Sequence, residues 1–136
     1  MAQTYQNLGL LYSEAGQLDK AEKTLQMAVE AWATLASHDT ADYGFQKTLA
    51  NCYGMLANVY GDMRQPNKAD ASFQQALEIH ERLVAANGSV PDSRADLASV
   101  YNNMGVAHGK SHRPDTAEES YRKALAIRKE LVGRHP

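Results

Sequence analysis

Residues 53–76 read YGMLANVYGDMRQPNKADASFQQA, and the same pattern returns on both sides of them. Residues 5–28 read YQNLGLLYSEAGQLDKAEKTLQMA, and residues 101–124 read YNNMGVAHGKSHRPDTAEESYRKA. A shift of 48 residues, with no gap, superposes Tyr5, Tyr53 and Tyr101, then Ala21, Ala69 and Ala117. The same shift superposes Leu25, Phe73 and Tyr121, then Ala28, Ala76 and Ala124, then Leu35, Leu83 and Leu131. A constant period of this size marks stacked copies of one supersecondary unit, which serve more often as binding surfaces than as catalysts.

Each unit reads as two helices. Leu97, Val100, Tyr101, Met104 and His108 follow the i, i+3, i+4, i+7 spacing of an amphipathic helix, as do Ala69, Phe73, Ala76, Leu77 and Leu83. Pro66 and Pro114 share one slot. Proline suits the first turn of a helix, where its missing N–H has no partner to lose, so each is expected to open the second helix of its unit. Asp115, Glu118 and Glu119 follow Pro114 and suit the positive end of the helix dipole. Between units, Asn87-Gly88-Ser89-Val90-Pro91 is a turn by composition. Helices are expected near residues 3–15, 18–37, 41–62, 66–86, 91–111 and 114–133, joined by connections short enough to make neighbours antiparallel.

The aligned residues resemble the tetratricopeptide repeat: an aromatic, then Leu-Gly, then Tyr, and later Ala-x3-Phe and a second Ala. The first copy has Tyr5, Leu8-Gly9, Tyr12, Ala21, Leu25 and Ala28. The second has Tyr53, Leu56-Ala57, Tyr60, Ala69, Phe73 and Ala76, and the third Tyr101, Met104-Gly105, His108, Ala117, Tyr121 and Ala124. Gly9, Ala57 and Gly105 are small where one helix must approach its partner, with Ala21, Ala69 and Ala117 doing the same from the other side. The resemblance implies an all-α solenoid of three stacked antiparallel hairpins, forming a right-handed superhelix. It places one domain over 1–136, with repeats about 2–40, 41–88 and 89–136 and hairpins centred on 5–37, 53–86 and 101–133. The period departs from the usual value of about 34 residues. Leu35, Leu83 and Leu131 fall in the added length, as do Leu49-Ala50 and Leu97-Ala98, so the insertion reads as helical. This resembles long-period bacterial arrays that accompany signalling proteins. The first helix lacks its extension, the pattern of a segment from a longer array.

In this family the first helix of each repeat lines a concave groove, and here the side opposite Tyr5, Leu8 and Tyr12 carries Gln3, Asn7, Leu10 and Glu14. The matching residues are Asn51, Met55, Asn58 and Asp62 in the second copy and Ser99, Asn103, Val106 and Lys110 in the third, with Gln6 and Asn102 flanking. Amides offer both donors and acceptors, which suits an extended backbone. Leu10, Met55 and Val106 add an apolar row fit to grip a peptide or a helix. Gln6, Gly54 and Asn102 stand where a carboxylate clamp wants cations, which argues against that mode.

Net charge is −2, too weak to point to nucleic acid or an anionic membrane. It is unevenly spread: residues 1–48 hold three basic and six acidic groups (3 − 6 = −3), and residues 97–136 hold seven and four (7 − 4 = +3). An acidic front and a basic back suggest head-to-tail self-association, the alternative to groove binding. No apolar run reaches the ~20 residues of a membrane span. Met1-Ala2-Gln3-Thr4 does not open a secretory signal, and one cysteine agrees with a reducing, cytoplasmic location.

Catalytic signals are weak. His108 and His112 are four apart, a spacing that can hold a metal, yet no third ligand is near. His108 replaces Tyr12 and Tyr60, which favours a hydrogen-bonded core histidine. Cys52 aligns with Val100 and reads as a small buried hydrophobe. Trp32 has no counterpart, and either packs over the first repeat or anchors a partner. Glycine-rich phosphate loops and serine elbows are missing. The expectation is a non-catalytic protein-interaction module, without cofactor or metal, whose partner is a protein or peptide.

Overall fold

The computed structural model describes every residue except 40–41, 87–90 and 135–136. Six helices occupy the described residues: α1 (Ala2–Glu14), α2 (Leu18–His38), α3 (Tyr43–Asp62), α4 (Pro66–Ala86), α5 (Pro91–Lys110) and α6 (Pro114–Arg134). Pro66 and Pro114 each take the first helical position, as the missing N–H requires. The expected turn at 87–90 lies outside the described residues. Helix α3 starts at Tyr43, capped by the Asp42 carboxylate, which accepts the Phe45 N–H at 3.0 Å; the expected start at 41 lies outside the described residues.

The three hairpin turns share one construction. Gly16, Arg64 and His112 have φ of 75°, 60° and 59°, the left-handed conformation. At each, the following residue (Gln17, Gln65 or Arg113) donates its N–H back to the carbonyl of Tyr12, Tyr60 or His108 at 2.9 Å. The left-handed residue itself donates to Ser13, Gly61 or Gly109 at 3.1, 3.0 and 3.2 Å. These paired bonds satisfy carbonyls that the helix end leaves orphaned and reverse the chain within three residues. The next helix begins at once: Ala21, Ala69 and Ala117 donate to the carbonyls of Gln17, Gln65 and Arg113.

The hairpins α1–α2, α3–α4 and α5–α6 stack into a helical-repeat solenoid. Each helix packs on its neighbours in sequence, and α3 also touches α1 and α5. Small residues set the close approach inside each hairpin. A Cβ on Gly9 would lie 2.6 Å from Leu25 Cδ2, and one on Gly105 would lie 2.7 Å from the Tyr121 ring. Ala57 and Phe73, both fully buried, share a core at the equivalent place in the second hairpin. That core gathers Ala36 from α2, Leu49 from α3, Leu77 and Leu83 from α4 and Val100 from α5. A second core joins Ala21 and Leu25 of α2 to Leu56, Val59 and Tyr60 of α3 and Ala69 of α4. Burying a side chain the size of Phe73 contributes about 2 kcal/mol. Trp32 packs against the first of these cores, its ring 6.1 Å from that of Phe45 on α3, so it seals the junction between the first two hairpins.

Candidate functional site

The turn geometry and the core-facing rows leave one side of α1, α3 and α5 uncovered. On α3, Leu56, Ala57, Val59 and Tyr60 are drawn into the core, which turns Asn51, Asn58 and Asp62 outward. On α5, Val100 and His108 are buried while Ser99, Asn103, Val106 and Lys110 are exposed. On α1, Gln3, Asn7, Leu10 and Glu14 are exposed. Gln6 and Asn102 are half-buried.

Five of these residues meet in one cleft. Asn58 and Asp62 from α3 face Asn103, Val106 and Lys110 from α5 across a space of about 270 Å³. Gly61 and Ala107 complete its lining. Neither was among the residues expected in the groove. Their role is spatial: Gly61 adds no side chain between the two helices, and a Cβ there would meet nothing within 4 Å. The lining thus offers amides on both walls, an apolar strip at Val106 and Ala107, and the opposite charges of Asp62 and Lys110.

The remaining groove residues lie apart from that cleft. Gln3 Nε2 donates to Asn7 Oδ1 at 3.0 Å, along α1 alone. Gln6 Nε2 reaches Met55 Sδ at 4.0 Å, a weak bridge between α1 and α3. Met55 is half-buried against the core of Leu25 and Val59, so it is drawn inward between the exposed Leu10 and Val106. Ser99 Oγ donates to the Ala95 carbonyl at 3.1 Å.

A second polar group lies between α4, α5 and α6. His108, only 3% exposed, has Nε2 3.2 Å from Asp70 Oδ1 and Nδ1 3.5 Å from Ser120 Oγ. Neutral imidazole fits both contacts if Nε2–H donates to the carboxylate and Nδ1 accepts from the hydroxyl. Arg113 grips the same carboxylate with Nη1 at 2.8 Å and Nη2 at 3.1 Å. The guanidinium, aided by His108, holds the Asp70 carboxyl below its ordinary range against a smaller opposing effect of burial. Serine, histidine and aspartate are the residue types of a hydrolytic triad, but the serine and the histidine here are both buried and open to no substrate. The group acts as a polar staple between the second and third hairpins. His112 is exposed on the turn, and no cluster of three metal-ligating side chains exists among the described residues.

Cys52 is fully buried, and burial pushes its thiol up to about 12, so it is a neutral packing group at physiological pH. Among the described residues, no helix is long and apolar enough to cross a membrane.

Comparison with known proteins bears on this architecture. Curated proteins yield no match. Among solved structures, BtubC (BKLC) from P. vanneervenii is 20% identical, with 99% of this chain and 66% of that one covered and a TM-score of 0.44. The chain thus spans just under two thirds of BtubC. MamA is 18% identical, with 97% and 81% covered and a TM-score of 0.47. A second MamA structure is 15% identical, with 99% and 96% covered and a TM-score of 0.29. The family described as tetratricopeptide repeat matches residues 1–82 and again residues 97–136. Arrays of this kind are generally non-catalytic and serve protein–protein interaction or scaffolding. With that family matched over most of its length, this helical-repeat chain belongs to the tetratricopeptide-repeat family.

Proposed function

We propose that the chain is a non-catalytic interaction module whose three hairpins, repeats about 2–40, 41–88 and 89–136, together hold a peptide or a helix from a partner protein. The exposed face of α1, α3 and α5 is its groove, and the α3–α5 cleft is the principal seat. One observation carries the reading: Asn58, Asp62, Asn103, Val106 and Lys110, drawn from two helices, line a single space. Paired amides suit the alternating donors and acceptors of an extended backbone, and Val106 with Ala107 suits one apolar side chain between them. Asp62 and Lys110 favour a segment bearing both signs of charge. Nucleic acid and membrane surfaces are not partners in this reading, since the net charge of −2 supplies no basic field. A cytoplasmic location accompanies it, in keeping with a single free, buried cysteine.

Titration with a peptide library, read by fluorescence anisotropy, tests this function. Asn58→Ala and Asn103→Ala should each weaken the selected peptides several-fold, and Val106→Asp should abolish their binding. Affinities unchanged in all three variants would reject the groove.

A further inference from the structure

The two internal junctions of the stack differ at one pair of positions. Where the first hairpin meets the second, Trp32 of α2 and Phe45 of α3 set their rings 6.1 Å apart. A shift of 48 residues puts His80 of α4 and Ser93 of α5 in the same two slots, where the second hairpin meets the third. His80 and Ser93 are 1% and 0% exposed. Two polar side chains are therefore enclosed where the first junction has two aromatic rings.

Buried polar groups cost free energy unless each finds a partner. Ser93 Oγ donates to Tyr43 Oη at 3.3 Å, and that hydroxyl donates to Asp96 Oδ2 at 3.4 Å. Lys47 Nζ lies 3.3 Å from the same carboxylate oxygen. His80 Nδ1 has no hydrogen-bond partner among the described residues. Among those residues α4 packs on α3 and α5. The titratable groups they bring to this cluster are Tyr43 and Lys47 from α3 and Asp96 from α5, while Glu78, Glu81 and Arg82 on α4 itself are exposed. A proton on His80 thus places a cation in a closed junction whose carboxylate, Asp96, is already shared by Lys47 and Tyr43. The other buried histidine of this junction differs, since His108 Nε2 faces the Asp70 carboxylate at 3.2 Å.

We propose that the junction between the second and third hairpins is an acid-sensitive hinge: protonation of His80 undocks α5 from α4, while the Trp32–Phe45 junction stays closed. A buried charge without its own partner is strongly destabilising, and opening the interface returns it to water. Burial disfavours the proton on His80 in the closed state; Asp96 opposes that effect and Lys47 adds to it. The closed state is therefore favoured fully above the ordinary histidine value of 6.5 and loses ground as pH falls below it. Once undocked, α5 and α6 have only each other to pack on, and helices with little tertiary support are marginal in water.

Hydrogen exchange of the 136-residue protein at pH 7 and pH 5, resolved by peptide and corrected for the intrinsic rate, tests the proposal. Protection over residues 91–134 should fall several-fold in acid, while residues 2–38 keep theirs and Trp32 emission stays constant. His80→Gln retains a polar side chain that does not titrate and should abolish the acid response. Lys47 and Asp96 are partly exposed, and their variants keep the test available should His80→Gln fail to fold. Lys47→Met removes a repelling charge and should move the response to higher pH, whereas Asp96→Asn removes an attracting one and should move it to lower pH. Unchanged protection at pH 5, or an equal loss over all six helices, would overturn the hinge. So would a response that persists in His80→Gln, or shifts of the two charge variants in the same direction.

Discussion

Gly9 and Leu25 approach so closely that a Cβ on residue 9 would sit 2.6 Å from Leu25 Cδ2 and 2.7 Å from its Cγ. Leu25 is fully buried and has no room to yield. Gly9→Ala should therefore destabilise the protein by about 1–3 kcal/mol, the usual cost of overpacking, despite the better helix propensity of alanine. Gly54 lies within α3, where a Cβ would meet nothing within 4 Å. There the same substitution should stabilise by about 0.5–1 kcal/mol. Urea midpoints of the two variants, moving in opposite directions, check both.

Arg64 and His112 hold the left-handed turn position that Gly16 holds in the first hairpin. A residue with a Cβ is strained there, and glycine is not. Arg64→Gly and His112→Gly should each raise stability by about 0.5–1 kcal/mol with an unchanged denaturant slope. A lower urea midpoint in either variant would contradict the turn geometry.

His80 is buried, and its Nδ1 has no hydrogen-bond partner among the described residues. Burial lowers its pKa, with Asp96 opposing and Lys47 reinforcing that shift. The unfolded chain then binds a proton that the folded chain resists. This contribution to stability is complete above the ordinary histidine value of 6.5 and declines as pH falls below it. His80→Leu should reduce the slope of stability against pH between about 6.5 and 5. An identical slope in the variant and the parent protein would refute the assignment.

Cys52 should resist alkylation and disulfide exchange in the native state, since thiolate is the reactive form and the thiol is both enclosed and raised to about 12. Labelling should begin only as the protein unfolds in denaturant. Cys52→Val, which copies Val100 of the third hairpin, should change stability by less than about 1.5 kcal/mol.

Asp70→Asn should weaken the junction between the second and third hairpins by removing the charge that Arg113 and His108 share. Because Asp70 is partly open to solvent, the loss should be modest, about 1 kcal/mol. It should vanish in acid, where the parent carboxylate is protonated: its pKa is lowered, so the stabilisation holds at neutral pH and disappears as pH falls through that lowered value. Stability curves of both proteins against pH should converge at the acid end.

Helix positions, turn positions and the small-residue contacts were legible in the chain because each rests on short-range chemistry. Pro66 and Pro114 start helices for want of an N–H, and the repeated Ala21, Ala69 and Ala117, with Leu25 and Phe73, face inward at helical spacing. His108 could be read as a hydrogen-bonded core residue because its neighbours in register, Tyr12 and Tyr60, are aromatic. Its partners were not legible. Asp70 lies 38 residues upstream of His108, and nothing local links the two. The same holds for the cleft, where Asn58 and Asp62 meet Asn103, Val106 and Lys110 only because α5 packs beside α3. Met55 was grouped with Leu10 and Val106 on one helical face, and packing against Leu25 and Val59 drew it inward. Periodicity reports which side of a helix is apolar. It carries no account of which distant helix lies alongside, and that pairing settles whether an exposed amide joins a shared cleft or stands by itself.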